Sequence, residues 1–211
     1  MNFKNMKISV RLTIAFGIVL LISMISAGLA LSKLSAIEEN LRDIVLDNNV
    51  KIKLNNDMAE AVHIVARVAR TIVLLEDKAA KDPEMLKITK AREAYSKAWD
   101  GLQKFPASET GKANRAKIAA AAAAARPLND RVIEFGMADK DKEATELLIK
   151  EAGPATSKWQ DAIDDNINFQ EAANQKQYQE AETDYQQARA LLIIANLIGV
   201  VSAMLMGWMV T

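Results

Sequence analysis

Two stretches of the chain carry no charge at all, and between them apolar residues recur at helical spacing. Residues 12–31 read LTIAFGIVLLISMISAGLAL and residues 190–210 read ALLIIANLIGVVSAMLMGWMV. At about 1.5 Å rise per residue, a helix of about twenty residues crosses a hydrocarbon core of roughly 30 Å. A core helix of a soluble bundle carries a polar stripe, and neither stretch has one. From residue 34 onward the apolar positions are Leu34, Ile37, Leu41 and Ile44, then Met58, Val62, Val65, Ala69 and Ile72. Steps of three and four predict one long helix running unbroken from the first stretch to about Asp77, with Asn48 and Asn55 as amides in the stripe that need partners and can set register.

Helix punctuation divides the remainder. Asp82-Pro83 reads as a helix start, an Asp cap before a Pro. That second helix ends at Phe105-Pro106. Ser108 or Thr110 can cap a third, which holds the alanine run 119–125 and an internal Pro127 expected to kink it. Residues 139–151 suggest a short helix over the far tip, and Gly153-Pro154 a break before a fourth helix that continues into the second apolar stretch. The expected fold is all-α: an up-down-up-down four-helix bundle whose helices 1 and 4 are continuous with two transmembrane helices. The expected divisions are 1–11 as a cytoplasmic N-terminus, 12–31 as the first span, 32–189 as the bundle and 190–210 as the second span.

Charge sets the orientation. Lys4, Lys7 and Arg11 precede the first span, and such a flank stays in the cytoplasm, so the bundle is expected outside it. The alternative is a cleaved signal peptide ending near Gly28-Leu29-Ala30, but a twenty-residue apolar run exceeds the usual signal core. A second crossing returns the chain to the cytoplasm at Thr211, so a cytoplasmic output module is expected outside this chain.

Composition narrows the function. The 27 basic and 27 acidic residues cancel, and no basic patch interleaved with aromatics marks a nucleic-acid binder. There is no Cys and one His, with no Gly-rich phosphate loop and no spaced metal ligands, which leaves little for an enzyme to work with and implies no cofactor.

Residues 6–17 (MKISVRLTIAFG), Leu31-Ser32-Lys33-Leu34 and residues 143–148 (EATELL) resemble the ligand-sensing region of methyl-accepting chemotaxis proteins of the four-helix-bundle type. The resemblance covers essentially the whole chain. It implies a homodimer, a ligand bound near the membrane-distal end and a downstream signalling module that couples to a kinase. Histidine kinases and cyclases carry the same sensor, so the output is open.

His63, Arg67 and Arg70 recur at four and three residues on one helical face, with Thr71 beside them. Arg67 and Arg70 are the positions matched, approximately, to the anion-binding arginines of the resembled family. Arg126 and Arg131 can lie at the same level, and Thr156, Trp159 and Gln160 open the fourth helix, where free backbone N–H groups favour an anion. The expected ligand is a small organic anion such as a di- or tricarboxylate. The plainer reading of these arginines is solvation or local pairing, for example Arg70 with Glu76 or Asp77. Tyr95, Trp99 and Trp159 read as packing residues. A membrane-anchored bundle that binds another protein is the alternative from a different class.

Overall fold

A computed structural model describes residues 7–210; Lys4 of the basic flank, Met6 of the family-like opening and Thr211 lie outside the described residues. The helices are α1 (Ile8–Arg42), α2 (Asn49–Leu74), α3 (Lys78–Gln103), α4 (Glu109–Met137), α5 (Asp141–Leu147) and α6 (Gly153–Val210). There is no strand among the described residues. The chain divides into two compact units. One is Val45–Asn174; the other comprises the segments up to Ile44 and from Gln175 onward.

The Val45–Asn174 unit is a four-helix bundle of α2, α3, α4 and the first part of α6. The stripe Met58, Val62, Val65, Ala69 and Ile72 is buried, against Ile88, Tyr95 and Leu102 of α3, Ile118, Ala125 and Val132 of α4, and Trp159 and Ile163 of α6. One pair of amides, Asn55 and Asn166, meets inside this core, where a buried polar group needs a partner. Asn55, wholly buried, donates to the Lys51 carbonyl at 2.7 Å and accepts from Asn166 Nδ2 at 3.0 Å, which locks α2 to α6 in register. Ser108 caps α4 by accepting from the Gly111 N–H, as its position predicts.

Three expectations are corrected. The long first helix is not uniformly α-helical: a π-helical turn, Asp43–Asn48, separates α1 from α2, and the helix stops at Leu74. The three-and-four spacing runs straight through that turn, so the pattern carries no mark of it. The second helix starts at Lys78, not at Asp82-Pro83, because Asp77 is the cap: its carboxylate accepts from the Ala79 N–H at 2.9 Å. Pro83 lies inside α3 and removes one backbone hydrogen bond. The earlier start lets the fully buried Lys81 reach the Gly136 carbonyl and Asp139 at the end of α4, contacts that outweigh the missing bond.

Nor does the chain break at Gly153-Pro154. It stays helical from Asp141 by passing through a π-helical turn, Leu148–Ala152, into α6. The wider turn relieves the clash between a proline ring and the carbonyl four residues before it. Gly153 is required there, since a Cβ would sit 2.8 Å from the Leu148 carbonyl oxygen.

The other unit holds both uncharged stretches. Each lies in a helix long and apolar enough to cross a membrane, and the most apolar window of each is 0% buried, which separates them from the core helices of a soluble bundle. Beyond the apolar stretches, Lys33 pairs with Asp184 at 2.7 Å and Gln177 donates to Asp43 at 3.3 Å. Of the residues 32–189 expected as the bundle, 45–174 form the first unit and the flanking turns belong to the other.

Candidate functional site

Within the bundle, one cleft of ≈ 190 Å³ draws its walls from all four helices: Ala61, Val62 and Val65 of α2, Ala91, Arg92, Tyr95 and Ser96 of α3, Arg126, Asn129 and Asp130 of α4, and Trp159 of α6. Helical spacing explains the grouping. Arg92, Tyr95 and Ser96 fall within one turn of α3, and Arg126, Asn129 and Asp130 within one turn of α4, so each set presents one face.

Tyr95 and Trp159 form the buried end. Their rings meet edge to face, with centroids 5.0 Å apart and planes at 67°, and the Trp159 indole N–H donates to the Tyr95 hydroxyl at 3.2 Å. The Arg126 guanidinium lies 4.7 Å from the Tyr95 ring centroid and 5.3 Å from that of Trp159. A guanidinium over aromatic rings is attracted by their faces, and its five N–H donors are more than one phenol oxygen can use. Burial pushes the Tyr95 phenol above its ordinary pKa; the Trp159 hydrogen bond and the Arg126 charge pull the other way and do not prevail.

The mouth is charged. Arg92 and Asp130, both exposed, form an ion pair from α3 to α4. Asn129 and Thr156 exchange hydrogen bonds at 2.9 and 3.3 Å, which satisfies both buried side chains and ties α4 to α6 beside the cleft. A larger groove of ≈ 940 Å³ between α2 and α3 is walled by Ala61, Ala91, Ala94 and Ala98 and edged by charges of both signs, including the Lys53–Asp57 pair.

Residues 5–185 match the family model described as a four helix bundle sensory module for signal transduction. The chain belongs to this family. No curated protein and no solved structure matches it. The bundle just described is therefore a sensory module, and its cleft is the place to look for what it senses.

Of the residues expected to bind a ligand in this sensory module, Arg126 and Trp159 line the cleft, and Thr156 is bonded to a residue that does. Arg67 and Arg70 are exposed on α2 and do not line it, and Thr71 donates to the Arg67 carbonyl at 3.1 Å. His63 Nδ1 is hydrogen-bonded to Gln160 Nε2 at 2.9 Å, outside the cleft. Arg131 stacks 5.8 Å from the Phe135 ring centroid, away from Arg126. The expectation that α6 opens with free N–H groups fails, because the π-helical turn feeds directly into its first turn. Sequence reasoning did not bring Arg92, Tyr95, Asn129 and Asp130 together as cleft residues. The signal was there: each stands three or four residues from another cleft residue on its own helix.

Proposed function

We propose that this chain is the sensory region of a bacterial transmembrane chemoreceptor that binds a small organic anion in the bundle cleft. The observation that carries the reading is Arg126: its guanidinium rests on Tyr95 and Trp159, and it has no carboxylate partner among the described residues. An arginine that lines a cleft beside aromatic faces is suited to a carboxylate, which a guanidinium can pair bidentately.

Magnitudes argue for a sheltered site. An exposed ion pair contributes only about 0.2–1 kcal/mol, while micromolar affinity needs roughly 8 kcal/mol. The difference has to come from burial of ligand surface, and the alkyl and aromatic walls of the cleft offer it.

The remaining parts follow from the two apolar stretches. Lys7 and Arg11 flank the first, and a basic flank favours the cytoplasmic side, which supports a bundle in the periplasm. The homodimeric inner-membrane receptor is part of this proposal. The signal leaves along α6, a single helix from Gly153 to Val210 that forms one wall of the cleft and contains the second apolar stretch. Binding needs to favour one helix arrangement over another by only a few kcal/mol.

Titration of the full chain in lipid nanodiscs with a panel of small carboxylates tests the reading. Heat of binding with at least one anion, abolished in Arg126→Gln at unchanged helicity, is the expected result. If no carboxylate binds, or if Arg126→Gln binds as wild type does, the anion reading fails.

A further inference from the structure

We infer that the cleft selects monocarboxylates with a compact apolar body, such as a small ring or a branched chain, over di- and tricarboxylates. This rests on the cleft being the anion site and names the ligand class it takes. The charge inventory carries the argument. Three charged residues line the cleft, Arg92, Arg126 and Asp130. Arg92 is already paired with Asp130. Arg126 is the one cation lining the cleft that has no carboxylate partner among the described residues, so the site matches one negative charge.

Asp130 then works against a second. Its carboxylate lines the same mouth, and an additional ligand carboxylate meets either that like charge or the alkyl wall of Ala61, Val62, Val65 and Ala91. An unpaired anion against an alkyl surface forfeits its hydration without recompense. The same wall welcomes an apolar body, and the rings of Tyr95 and Trp159 extend it. Size agrees: an apolar cavity of about 150 Å³ holds benzene, and ≈ 190 Å³ leaves space for a carboxylate beside a ring. Asp130 is therefore a specificity-determining residue, acting through its pairing with Arg92 and through repulsion.

The experiment is calorimetry on the full chain in lipid nanodiscs at neutral pH, with benzoate, isovalerate, succinate, citrate and the uncharged benzyl alcohol. Benzoate or isovalerate is expected to bind at least tenfold more tightly than succinate and citrate, with benzyl alcohol inert. Asp130→Asn, which removes the repulsion and frees Arg92, is expected to narrow the preference for benzoate over succinate at least threefold. Arg126→Lys keeps the charge, loses the fork and is expected to weaken benzoate binding. Succinate or citrate binding as tightly as benzoate overturns the ligand class and leaves the anion reading intact. Benzyl alcohol binding as tightly as benzoate, or no binding by any probe, overturns both. An unchanged preference in Asp130→Asn overturns the role given to Asp130.

Discussion

The ammonium of Lys81, a side chain with no solvent exposure, donates to the carbonyl of Gly136 at 2.6 Å. A residue one turn into α3 thus closes the end of α4, where unsatisfied carbonyls and the negative end of the helix dipole favour a cation. The same ammonium reaches the Asp139 carboxylate at 2.7 Å. Asp139 has φ 58°, the left-handed conformation that ends a helix, and the Lys140 N–H returns to the Phe135 carbonyl at 2.9 Å across it. Lys81→Met keeps much of the buried volume but takes from the Gly136 carbonyl its short donor, leaving backbone N–H groups such as that of Asp139 at 3.4 Å. Urea denaturation followed by circular dichroism is expected to show a loss of about 1–3 kcal/mol, the cost of losing a buried hydrogen bond from a charged group; an unchanged midpoint would show that the backbone donors suffice.

Asp139 makes the same contact pH-dependent. The hydrogen bond from Lys81, followed by its charge, holds the Asp139 carboxyl below the usual aspartate range. A lowered carboxylate pKa contributes stability in full above the unfolded value, about pH 4, and loses it as pH falls through the folded value. The melting temperature of wild type is expected to exceed that of Asp139→Asn near neutrality, with the gap closing on acidification below about pH 4. A gap independent of pH would assign the difference to backbone conformation instead.

The Asn55–Asn166 pair predicts a non-additive result. Asn55→Leu buries the Asn166 amide without its partner, at a cost of about 1–3 kcal/mol, and Asn166→Leu does the converse. The double variant is expected to recover a large part of the loss, since two leucines pack where two amides bonded. Strictly additive losses in the four-member cycle would mean that the amides act independently.

At Gly153 the two effects of alanine oppose each other. Alanine gains about 1 kcal/mol of helix propensity, but its Cβ would meet the Leu148 carbonyl oxygen at 2.8 Å. The backbone there must shift, and overpacking of this kind costs about 1–3 kcal/mol. Gly153→Ala is expected to lower the melting temperature and to speed amide exchange over residues 148–156; a stabilised variant would show that the turn adapts freely.

The bundle was legible in the chain because apolar spacing and caps are local signals. The stripe from Met58 to Ile72, the cap at Ser108 and the two uncharged helical stretches follow from them directly. What stayed hidden depends on contacts between distant segments. Asp77 and Asp82 are equally good caps in isolation, and the choice is made 58 residues away, where Asp139 receives Lys81. For the cleft, spacing says which residues share a face of one helix, not which faces of four helices meet. Arg67, Arg70 and Arg126 are all exposed, and what distinguishes Arg126 is its place over the rings of Tyr95 and Trp159 from two other helices.

The π-helical turn at Leu148–Ala152 can be counted as a surplus of one residue in an otherwise regular helix. Each residue advances an α-helix by about 100°, so a surplus residue taken up in one wider turn leaves the side chains on both sides facing as they would without it. Forced into regular α-helix with the residue retained, the same stretch would swing every side chain of α5 around its axis by more than a quarter turn relative to α6, and Ala144 and Leu147, now buried, would leave the core together. The turn is thus a slack link: it lets the tip of the bundle carry one residue more than the helical repeat allows and still close the same core.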